Sequence, residues 1–519
     1  MLIFNVLQMK ILSNEQLNNV YKYTIEHDDV TSLDLIENSA EAITAEIIAR
    51  WPRSTQLLVF AGWGNNGADA LLTSLMLIEQ GYRPEVFLFN INNRITPECS
   101  ICRDRLLAAG NQALNFHEVT GRETFVCPEP SPTTLIIDGL FGSGLDKPLP
   151  VSFRMLVQNI NQSGAQVVSI DIPSGLFSDW NKNNSLQNVV HATLTLALGA
   201  PRLSFMIEDY AEAVGEWKVL DIGLSQDAIR QSPYTSYLVQ NSTIRQFLPL
   251  RNPFCTKQDF GNVLIVGGKP GMFGAPCLSA QAALRSGAGR VTVHSASSGM
   301  PVVQSVVPCA MFNADKSTKQ VTEIPTDNFY DAIAIGMGLG TDDTTIDALE
   351  YTLKSMDAAG RPVILDADAL NCLAKRPLLL NYLPVLSVLT PHAAEFDRIF
   401  GKQKSHEERL RKALDIAQYH RIIIVLKGHY TAIVRPDGKI FFNSSGTPAL
   451  ATPGSGDVLT GIIASFMAQG YKPEKATFIA TYIHGVAGHL AEISEGQYGT
   501  TAIEIAANTG KAIKNIQES

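Results

Sequence analysis

Short apolar runs that alternate with helical patterns constrain the fold of this chain more than any other feature, and they form two series. The first series comprises the runs 57–60, 86–89, 135–138, 167–170, 194–198 and 217–220. The second series comprises the runs 263–266, 291–294, 332–335, 363–365 and 422–426. Strands that alternate with helices build mostly parallel sheets covered by helices on both faces. The sequence therefore predicts an α/β protein made of two three-layer α/β/α sandwiches.

A polar stretch between the two series marks the predicted domain boundary. Residues 225–252 are rich in Ser and Gln and interrupt the alternation of strands and helices. A chain of 519 residues is long enough for about two to four domains. We expect an N-terminal domain over residues 1–225, a linker over residues 226–242 and a C-terminal domain over residues 243–519.

Charge, hydropathy and cysteine usage indicate the compartment and the class of partner. The net charge of −9 argues against an extended nucleic-acid surface, which needs clustered Lys and Arg. No apolar run approaches the roughly 18 residues that span a bilayer, and residues 1–10 lack the pattern of a signal peptide. The seven cysteines are scattered, and Cys99 and Cys102 lack the further ligands of a zinc site. We expect a cytoplasmic protein with reduced thiols and with neither nucleic-acid nor membrane partners.

A glycine-rich loop follows the first strand and opens a helix. The loop reads Gly62-Trp-Gly-Asn-Asn-Gly-Ala-Asp69, and a helix N-terminus of this kind favours an anionic group. The loop also matches the pattern of a dinucleotide-binding turn, which requires an acidic residue about 20 residues further on, after the next strand. Asn90 stands there, so a hydride-transfer dehydrogenase is disfavoured. An ordinary glycine turn remains the alternative interpretation.

Two aspartates end later strands of the same series. Asp138 opens the segment Asp-Gly-Leu-Phe-Gly-Ser-Gly-Leu, and Asp171 opens Asp-Ile-Pro-Ser-Gly. Ligands of open parallel sheets bind beyond the carboxyl ends of the strands, so these segments and the glycine loop should meet at one crevice. Such aspartates often serve only as caps or turn formers. Together they offer oxygen ligands for a hard cation and a carboxylate for proton transfer.

These three segments resemble the NAD(P)H-hydrate epimerase family over roughly residues 10–225. The resemblance implies a Rossmann-like fold and interconversion of the R and S epimers of hydrated NADH or NADPH. It implies that a potassium ion binds Asn66, Asp138 and Ser174, and that Asp171 is the catalytic acid or base. The substrate residues that it implies are Asn65, Asn66, Gly67, Ala68, Asp69, Gly142, Ser143, Gly144, Leu145 and Asp171.

Two positions depart from the pattern of that family, and both bear on the epimerase activity. Ala68 stands where the family usually has glycine, so a methyl group occupies a place where the backbone could need to lie close to the ligand. A lysine that the family often carries after the late strand is not evident in this chain, and the pair Pro201-Arg202 lies near that place.

The strongest motif of the second series is Thr452-Pro-Gly-Ser-Gly-Asp457. This small-residue loop opens a helix, and its backbone N–H groups can cradle a phosphate and the charge that develops during phosphoryl transfer. Asp457, in the first turn, can accept a proton from a hydroxyl group that attacks the phosphate. The chain contains no Gly-x4-Gly-Lys-[Ser/Thr] sequence, so the protein is not a P-loop NTPase.

Further glycine-rich or polar segments end the other strands of the second series: 267–276, 336–340, 365–371, 390–395 and 427–431. Each has a purely structural interpretation beside the functional one. Asp366 and Asp368 can simply cap the next helix, and we expect Asp368 to be structural. His484 and His489 are expected to be packing or capping residues rather than metal ligands.

These segments, in this order, resemble the ADP-dependent NAD(P)H-hydrate dehydratase family of the ribokinase-like superfamily over roughly residues 240–515. The resemblance implies that Asp457 is catalytic and that ADP or ATP is used together with magnesium. It places the hydrated substrate at Ala275, Gly338, Gly340, His392 and Asp457. It places the nucleotide at Lys427, Gly428, His429, Tyr430, Thr431 and Gly456.

Both halves point to the repair of one damaged cofactor. The first half would supply the S epimer, and the second half would remove its water after phosphoryl transfer to the hydroxyl group. Small molecules are thus the expected partners, and assembly into a homo-oligomer is expected from the family. The alternative is a ribokinase-like vitamin or sugar kinase whose first half is a non-catalytic binding module.

Overall fold

The computed structural model describes residues 9–109, 113–121, 125–233 and 235–519. Residues 1–8, on which most of the signal-peptide interpretation rests, lie outside that part of the chain. The described chain divides into two compact units: one spans residues 10–234, and the other comprises residues 235–519 together with Met9. The strand β1 (Met9–Ile11) opens the described chain. Among the described residues, no helix combines the length and the apolar character needed to cross a membrane.

The N-terminal unit is built on a seven-stranded parallel sheet. Its strands are β2 (Gln56–Ala61), β3 (Pro84–Phe89), β4 (Asn115–Val119), β5 (Thr134–Gly139), β6 (Gln166–Ile170), β7 (Leu194–Leu198) and β8 (Glu216–Leu220), in the order β4-β3-β2-β5-β6-β7-β8. Its helices are α1 (Asn14–His27), α2 (Ser32–Arg50), α3 (Asn65–Glu79), α4 (Pro97–Ala109), α5 (Val151–Gln162), α6 (Ala211–Val214) and α7 (Gln226–Gln231).

Alternate residues of the central strand enter two separate cores, which shows that helices cover both faces of this sheet. Val59 on β2 packs in a cluster with residues of α1, α2, α3 and α4. Phe60, its neighbour, packs in a second cluster with residues of α5, such as Phe153. Successive side chains of a strand point to opposite faces, so both faces are buried. The predicted three-layer α/β/α arrangement is confirmed for this unit.

The C-terminal unit is built on a larger, mixed sheet. Its strands are β9 (Ser236–Val239), β10 (Asn262–Val266), β11 (Arg290–Ser295), β12 (Met311–Ala314), β13 (Ala332–Ile335), β14 (Ile364–Leu365), β15 (Val388–Leu389), β16 (Ile423–Leu426), β17 (Ala432–Val434) and β18 (Ile440–Asn443). They lie side by side in the order β9-β18-β17-β16-β15-β14-β13-β10-β11-β12. The pairs β16–β17 and β17–β18 are antiparallel, and the other pairs are parallel.

Ten helices accompany this sheet among the described residues. They are α8 (Asn241–Arg245), α9 (Gly274–Arg285), α10 (Met300–Val306), α11 (Asp343–Ala358), α12 (Asp368–Lys375), α13 (Ala393–Phe400), α14 (His406–His420), α15 (Ser455–Ala468), α16 (Pro473–Gly499) and α17 (Ala502–Glu518). The α/β class predicted for this half is confirmed.

The segment expected as a linker, residues 226–242, carries regular structure. It contains α7 and β9, and β9 pairs in parallel with β18 from Ser236 to Val239. These four residues are buried. The polar composition of the segment marks the place where the chain passes from one unit to the other, whereas its short apolar run forms a strand because a distant strand offers it a pairing edge.

Cys99 and Cys102 are buried free thiols on α4. Burial raises the pKa of the Cys99 thiol to about 12 and that of the Cys102 thiol to about 11. Both are therefore protonated near neutral pH and behave as small apolar residues of the core.

Candidate active sites

A cavity of about 520 Å³ opens in the N-terminal unit where β2, β5 and β6 end. The loops after these strands form its floor, and α1 and α2 contribute Tyr21 and Ser39 to its wall. Trp63 and Phe141 add aromatic surface, with their rings edge to face at 5.2 Å. Of the predicted substrate residues, the following line the cavity: Asn65, Asn66, Asp69, Gly142, Ser143, Gly144, Leu145 and Asp171.

Gly67 and Ala68 lie away from this cavity. The helix α3 begins at Asn65, because Gly64 is the extended N-cap residue. Gly67 and Ala68 therefore lie on the inner side of the first turn. Ala68 is fully buried in the apolar core, and a Cβ atom on Gly67 would lie 1.8 Å from the carbonyl oxygen of Gly62. The methyl group of Ala68 packs in the core. The absence of a side chain at Gly67 allows two backbone segments to lie close together.

We expect Ala68→Gly to leave the chemistry of this cavity unchanged and to destabilise the N-terminal unit by about 1 kcal/mol, because glycine is unfavourable inside a helix. All four tryptophans, Trp51, Trp63, Trp180 and Trp217, belong to the N-terminal unit. Their fluorescence during urea unfolding of the full chain measures the stability of that unit. A gain of epimerase activity in Ala68→Gly would contradict the placement of the methyl group in the core.

Asp171 is held by an ion pair that is almost entirely buried. The residue follows β6 with a φ of 66°, a backbone conformation that residues other than glycine seldom adopt. Its Oδ1 accepts a hydrogen bond from Arg202, of which 1% is exposed, and its Oδ2 accepts one from the backbone N–H of Ser143 at 2.8 Å. Arg202 also donates to the carbonyl oxygens of Ala200 at 2.5 Å and Leu198 at 3.2 Å. Two hydrogen bonds thus fix the carboxylate at the cavity wall, and two more hold the guanidinium group of Arg202 in place.

Arg202 contacts the predicted catalytic Asp171, and the sequence motifs indicated it only as a departure from a family pattern. The signal for it was a single basic residue just after the apolar strand β7, at the carboxyl end of a parallel sheet. Tyr21 gave no signal, because it lies on the first helix, far from every motif in the sequence. Burial, and next the negative charge of Asp171, raise the pKa of Tyr21.

The predicted potassium ligands fall into two groups. Asp138 is fully buried and accepts hydrogen bonds from the hydroxyl of Ser174 at 2.6 Å, the hydroxyl of Ser169 at 2.8 Å and the backbone N–H of Ser174 at 2.9 Å. Burial raises its pKa, and these hydrogen bonds oppose the rise. Asn66 differs, because neither its amide oxygen nor its amide nitrogen has a hydrogen-bond partner although both are buried. A buried amide without protein partners is suited to bind a water molecule or an ion.

The N-terminus of α15 forms the centre of the second candidate site. Gly454 is its left-handed N-cap with a φ of 88°, and a Cβ atom there would lie 2.5 Å from Leu278 on α9. Asp457 lies in the first turn, and Ser279 on α9 donates a hydrogen bond to its carbonyl oxygen at 2.7 Å. Burial, and next the negative charge of Asp366, raise the pKa of the Asp457 carboxyl to about 7. Asp457 can therefore exchange a proton near neutral pH.

Lys427 joins three of the predicted segments. Its ammonium group lies 3.2 Å from Oδ1 of Asp366 and 3.8 Å from Oε2 of Glu395. A Cβ atom on Gly456 would lie 3.1 Å from the same nitrogen, so the lysine is adjacent to the glycine loop. Burial would raise the pKa of Asp366, but the charge of Lys427 and a hydrogen bond from Thr460 hold it below its usual value. Asp366 thus anchors Lys427 and is not merely a helix cap.

Three of the predicted substrate residues of this unit, Ala275, Gly338 and Gly340, lie near one another. A Cβ atom on Gly338 would lie 3.5 Å from the Cβ of Ala275, so these two backbones are in contact. Gly340 donates its N–H to Asp368 at 2.8 Å, and a Cβ atom there would lie 3.0 Å from the ammonium nitrogen of Lys269. Asp368 therefore holds a loop, as expected. Lys269 was missed in the sequence, although a lysine within a glycine-rich strand end is itself a signal for anion binding.

The histidines have local partners. His392 is the N-cap of α13, where its Nδ1 accepts hydrogen bonds from the N–H groups of Ala394 at 3.2 Å and Glu395 at 3.4 Å. His484 is buried with its Nε2 3.1 Å from the hydroxyl of Ser455, and burial lowers its pKa to about 4. His484 is thus neutral and supports the start of α15.

The loop between β16 and β17 holds the remaining predicted nucleotide residues. Thr431 donates a hydrogen bond to the carbonyl oxygen of Gly428 at 3.0 Å, which closes a tight turn. His429 and Tyr430 pack edge to face with their ring centroids 4.5 Å apart. Lys427 directly precedes this turn, and its ammonium group lies beside Gly456. The turn is therefore adjacent to the glycine loop that opens α15. Among the described residues, no group of three His, Cys, Asp or Glu side chains is arranged to hold a metal ion.

Comparison with known proteins gives two matching family models. The model described as NAD(P)H-hydrate dehydratase matches residues 263–509, and the model described as YjeF-related protein N-terminus matches residues 32–204. A bifunctional NAD(P)H-hydrate repair enzyme of Moorella thermoacetica is 31% identical over 514 residues, which cover 94% of each chain. The protein of the same description from Thermosynechococcus vestitus is 32% identical over 471 residues, which cover 88% of each chain.

Among solved structures, the chain is similar to an ADP/ATP-dependent NAD(P)H-hydrate dehydratase of Bacillus subtilis that was co-crystallised with ATP and Mg²⁺. The two are 30% identical with a TM-score of 0.45, and the match covers 53% of this chain and 97% of the other.

Proposed function

Because the chain belongs to the family of bifunctional NAD(P)H-hydrate repair enzymes, we propose that each unit carries one of the two activities. The N-terminal unit epimerises the hydrates of NADH and NADPH, and the C-terminal unit dehydrates the S epimer at the expense of ADP or ATP. Two observations support this proposal: Asp171 lines a cavity where strands of the N-terminal sheet end, and the carboxyl of Asp457, whose pKa is raised to about 7, lies in the first turn of α15.

In the N-terminal cavity, Asp171 is the proposed acid or base. The bonds from Arg202 and Ser143 orient its carboxylate, so that proton transfer needs little reorganisation. The hydrated ring is held by the loop 142–145 on one side and by the loop that opens α3 on the other. Trp63 and Phe141 offer apolar surface to the ring and limit the access of water.

In the C-terminal unit, Asp457 is the proposed base for the substrate hydroxyl. Hydroxide is a poor leaving group near neutral pH, whereas a phosphate leaves readily. Asp457 takes the hydroxyl proton while the oxygen attacks the terminal phosphorus of the nucleotide, and the phosphorylated intermediate then loses phosphate to restore the ring double bond. The backbone N–H groups of the loop 454–456 face the charge that develops on the phosphoryl group.

The proposal includes two bound cations, potassium in the N-terminal unit and magnesium with the nucleotide. The orphaned amide of Asn66 and the buried carboxylate of Asp138, which is bonded only to neutral donors in the contacts described above, fit a monovalent cation between them and Ser174. Potassium there would supply positive charge beside the substrate. Magnesium binds proteins mainly through one or two carboxylates together with substrate phosphates, so it would arrive with the nucleotide and neutralise the phosphate charge near Asp366 and Glu395.

A cytoplasmic location and a homo-oligomeric state extend the proposal. All seven cysteines are free thiols, as in a reducing compartment. The oligomeric state rests on the family alone.

The test follows the reduced-nicotinamide absorbance after the full chain is added to a mixed R and S preparation of hydrated NADH. With ADP or ATP present, we expect a fast first phase that consumes the S epimer. A second phase should then follow, faster than epimerisation without enzyme. A first phase alone would leave the N-terminal unit non-catalytic. No rise in absorbance, together with a stable phosphorylated product, would indicate a small-molecule kinase.

A further inference from the structure

Asp69 is a second carboxyl group in the N-terminal cavity, and its surroundings differ from those of Asp171. It lies in the second turn of α3 with 5% of its surface exposed, and it lines the same cavity. Its Oδ1 is buried and has no hydrogen-bond partner. A buried carboxylate without a partner is costly, whereas a neutral carboxylic acid is tolerated.

The titratable groups that interact with Asp69 come from three elements. They are Tyr21 on α1, Cys99 and Cys102 on α4, and Asp171 after β6. None of these four is a cation. Arg202 is directed at Asp171, and Arg103 and Arg105 on α4 interact with Cys99 and Cys102; none of these arginines is among the groups that shift the pKa of Asp69. Burial, and next the negative charge of Asp171, raise the pKa of Asp69 well above its usual value.

The two carboxyl groups therefore have opposite character. Asp171 is ion-paired with a permanent cation, the guanidinium group of Arg202. Asp69 has no cation as a partner in the contacts given above, and its burial together with the negative charge of Asp171 favours the protonated carboxylic acid. Two carboxyl groups whose environments separate their protonation states form an acid–base pair.

We propose that Asp69 is the general acid of the epimerisation and that Asp171 is the matching base. This inference rests on the proposed epimerase activity. The hydroxyl-bearing carbon of the hydrated ring is bonded to the ring nitrogen. Asp69 donates its proton to the hydroxyl oxygen as the C–O bond breaks, water leaves, and the nitrogen lone pair forms a C=N⁺ bond. A water molecule then adds to the other face of this carbon and gives its proton to Asp171.

These reaction steps conserve all atoms and charges. One C–O bond breaks and one forms, one water leaves and one enters, and one proton passes from Asp69 to Asp171. The opposite epimer reacts by the reverse route, and exchange with solvent restores the starting protonation state. No oxidant or further co-reactant is required.

The test uses the full chain with Asp69→Asn, which keeps the size and polarity of the side chain but cannot donate an acidic proton. The R and S hydrates are separated by chromatography, and their interconversion is followed over a range of pH without nucleotide. We expect Asp69→Asn to lower the rate by about 10²-fold or more. Asp69→Glu should retain part of the rate. The dehydration rate of the same samples with purified S epimer and ADP measures the amount of active chain.

Asp179→Asn is the matched control. Asp179 is a half-buried carboxyl of the same unit whose pKa is also raised by burial, and it does not line the cavity. This variant should epimerise at the wild-type rate.

The pH profile distinguishes an acid from a residue that only binds substrate. The wild-type rate should fall on the alkaline side as Asp69 loses its proton, and the residual rate of Asp69→Asn should lack this fall. An Asp69→Asn rate equal to wild type would overturn the inference. If that variant does not fold, a wild-type rate that stays level to alkaline pH would overturn it. A wild-type chain without epimerisation would instead overturn the proposed function.

Discussion

Asp457→Asn is expected to reduce nucleotide-dependent dehydration by about 10²- to 10⁴-fold, the range for loss of a general base. The amide keeps the shape of the side chain at the start of α15 but cannot accept the hydroxyl proton. Epimerisation in the same chain should continue at the wild-type rate, because its residues belong to the other unit. The measurement is the rise in reduced-nicotinamide absorbance with purified S epimer and either nucleotide.

The pH dependence of dehydration should identify the same group. Asp457 is active as a base only when it is deprotonated, and its pKa is raised to about 7. The value of kcat/KM should therefore increase with pH up to about 7 and be level above it. Asp437→Asn serves as the control, since Asp437 is an exposed turn residue of the same unit. A wild-type dehydration rate in Asp457→Asn would exclude Asp457 as the base.

Asp171→Asn should have two separate effects. The first is loss of epimerisation by about 10²- to 10⁴-fold, because the carboxylate that exchanges the proton is gone. The second is lower stability of the N-terminal unit by about 3–5 kcal/mol, because the buried guanidinium of Arg202 loses its ionic partner. Urea unfolding followed by tryptophan fluorescence measures the second effect, and separation of the R and S hydrates measures the first.

The double variant Asp171→Asn with Arg202→Met separates these two effects. It removes the unpaired charge and fills the same buried space with an apolar side chain, so much of the stability should return. Epimerisation should stay absent. If epimerisation returned together with stability, Asp171 would act only through the fold.

The sequence predicted the parts of this protein whose signal is local. The alternation of apolar runs and helical patterns identified both α/β units, because periodicity reflects which side chains must be buried. The glycine-rich strand ends indicated where ligands bind, since the carboxyl ends of parallel strands share one edge. The Gly-Ser-Gly-Asp segment indicated a helix start suited to phosphate, and α15 begins within it.

The remaining features depend on residues that are distant in the sequence. The pairing of β9 with β18 joins segments about 200 residues apart, so the composition of residues 226–242 alone suggested a linker. The methyl group of Ala68 points into the core because α3 begins at Asn65, a boundary set by the conformation of Gly64.

The charge states of the N-terminal cavity were decided by the tertiary structure alone. Arg202 reaches Asp171 and leaves Asp69 without a cation, although both carboxyl groups belong to similar strand-end motifs. Burial and charge partners come from other elements of the fold, and these determine which carboxyl keeps its proton. The sequence by itself therefore determined the fold class and the location of the sites, whereas the three-dimensional packing assigned the chemical character of each group in them.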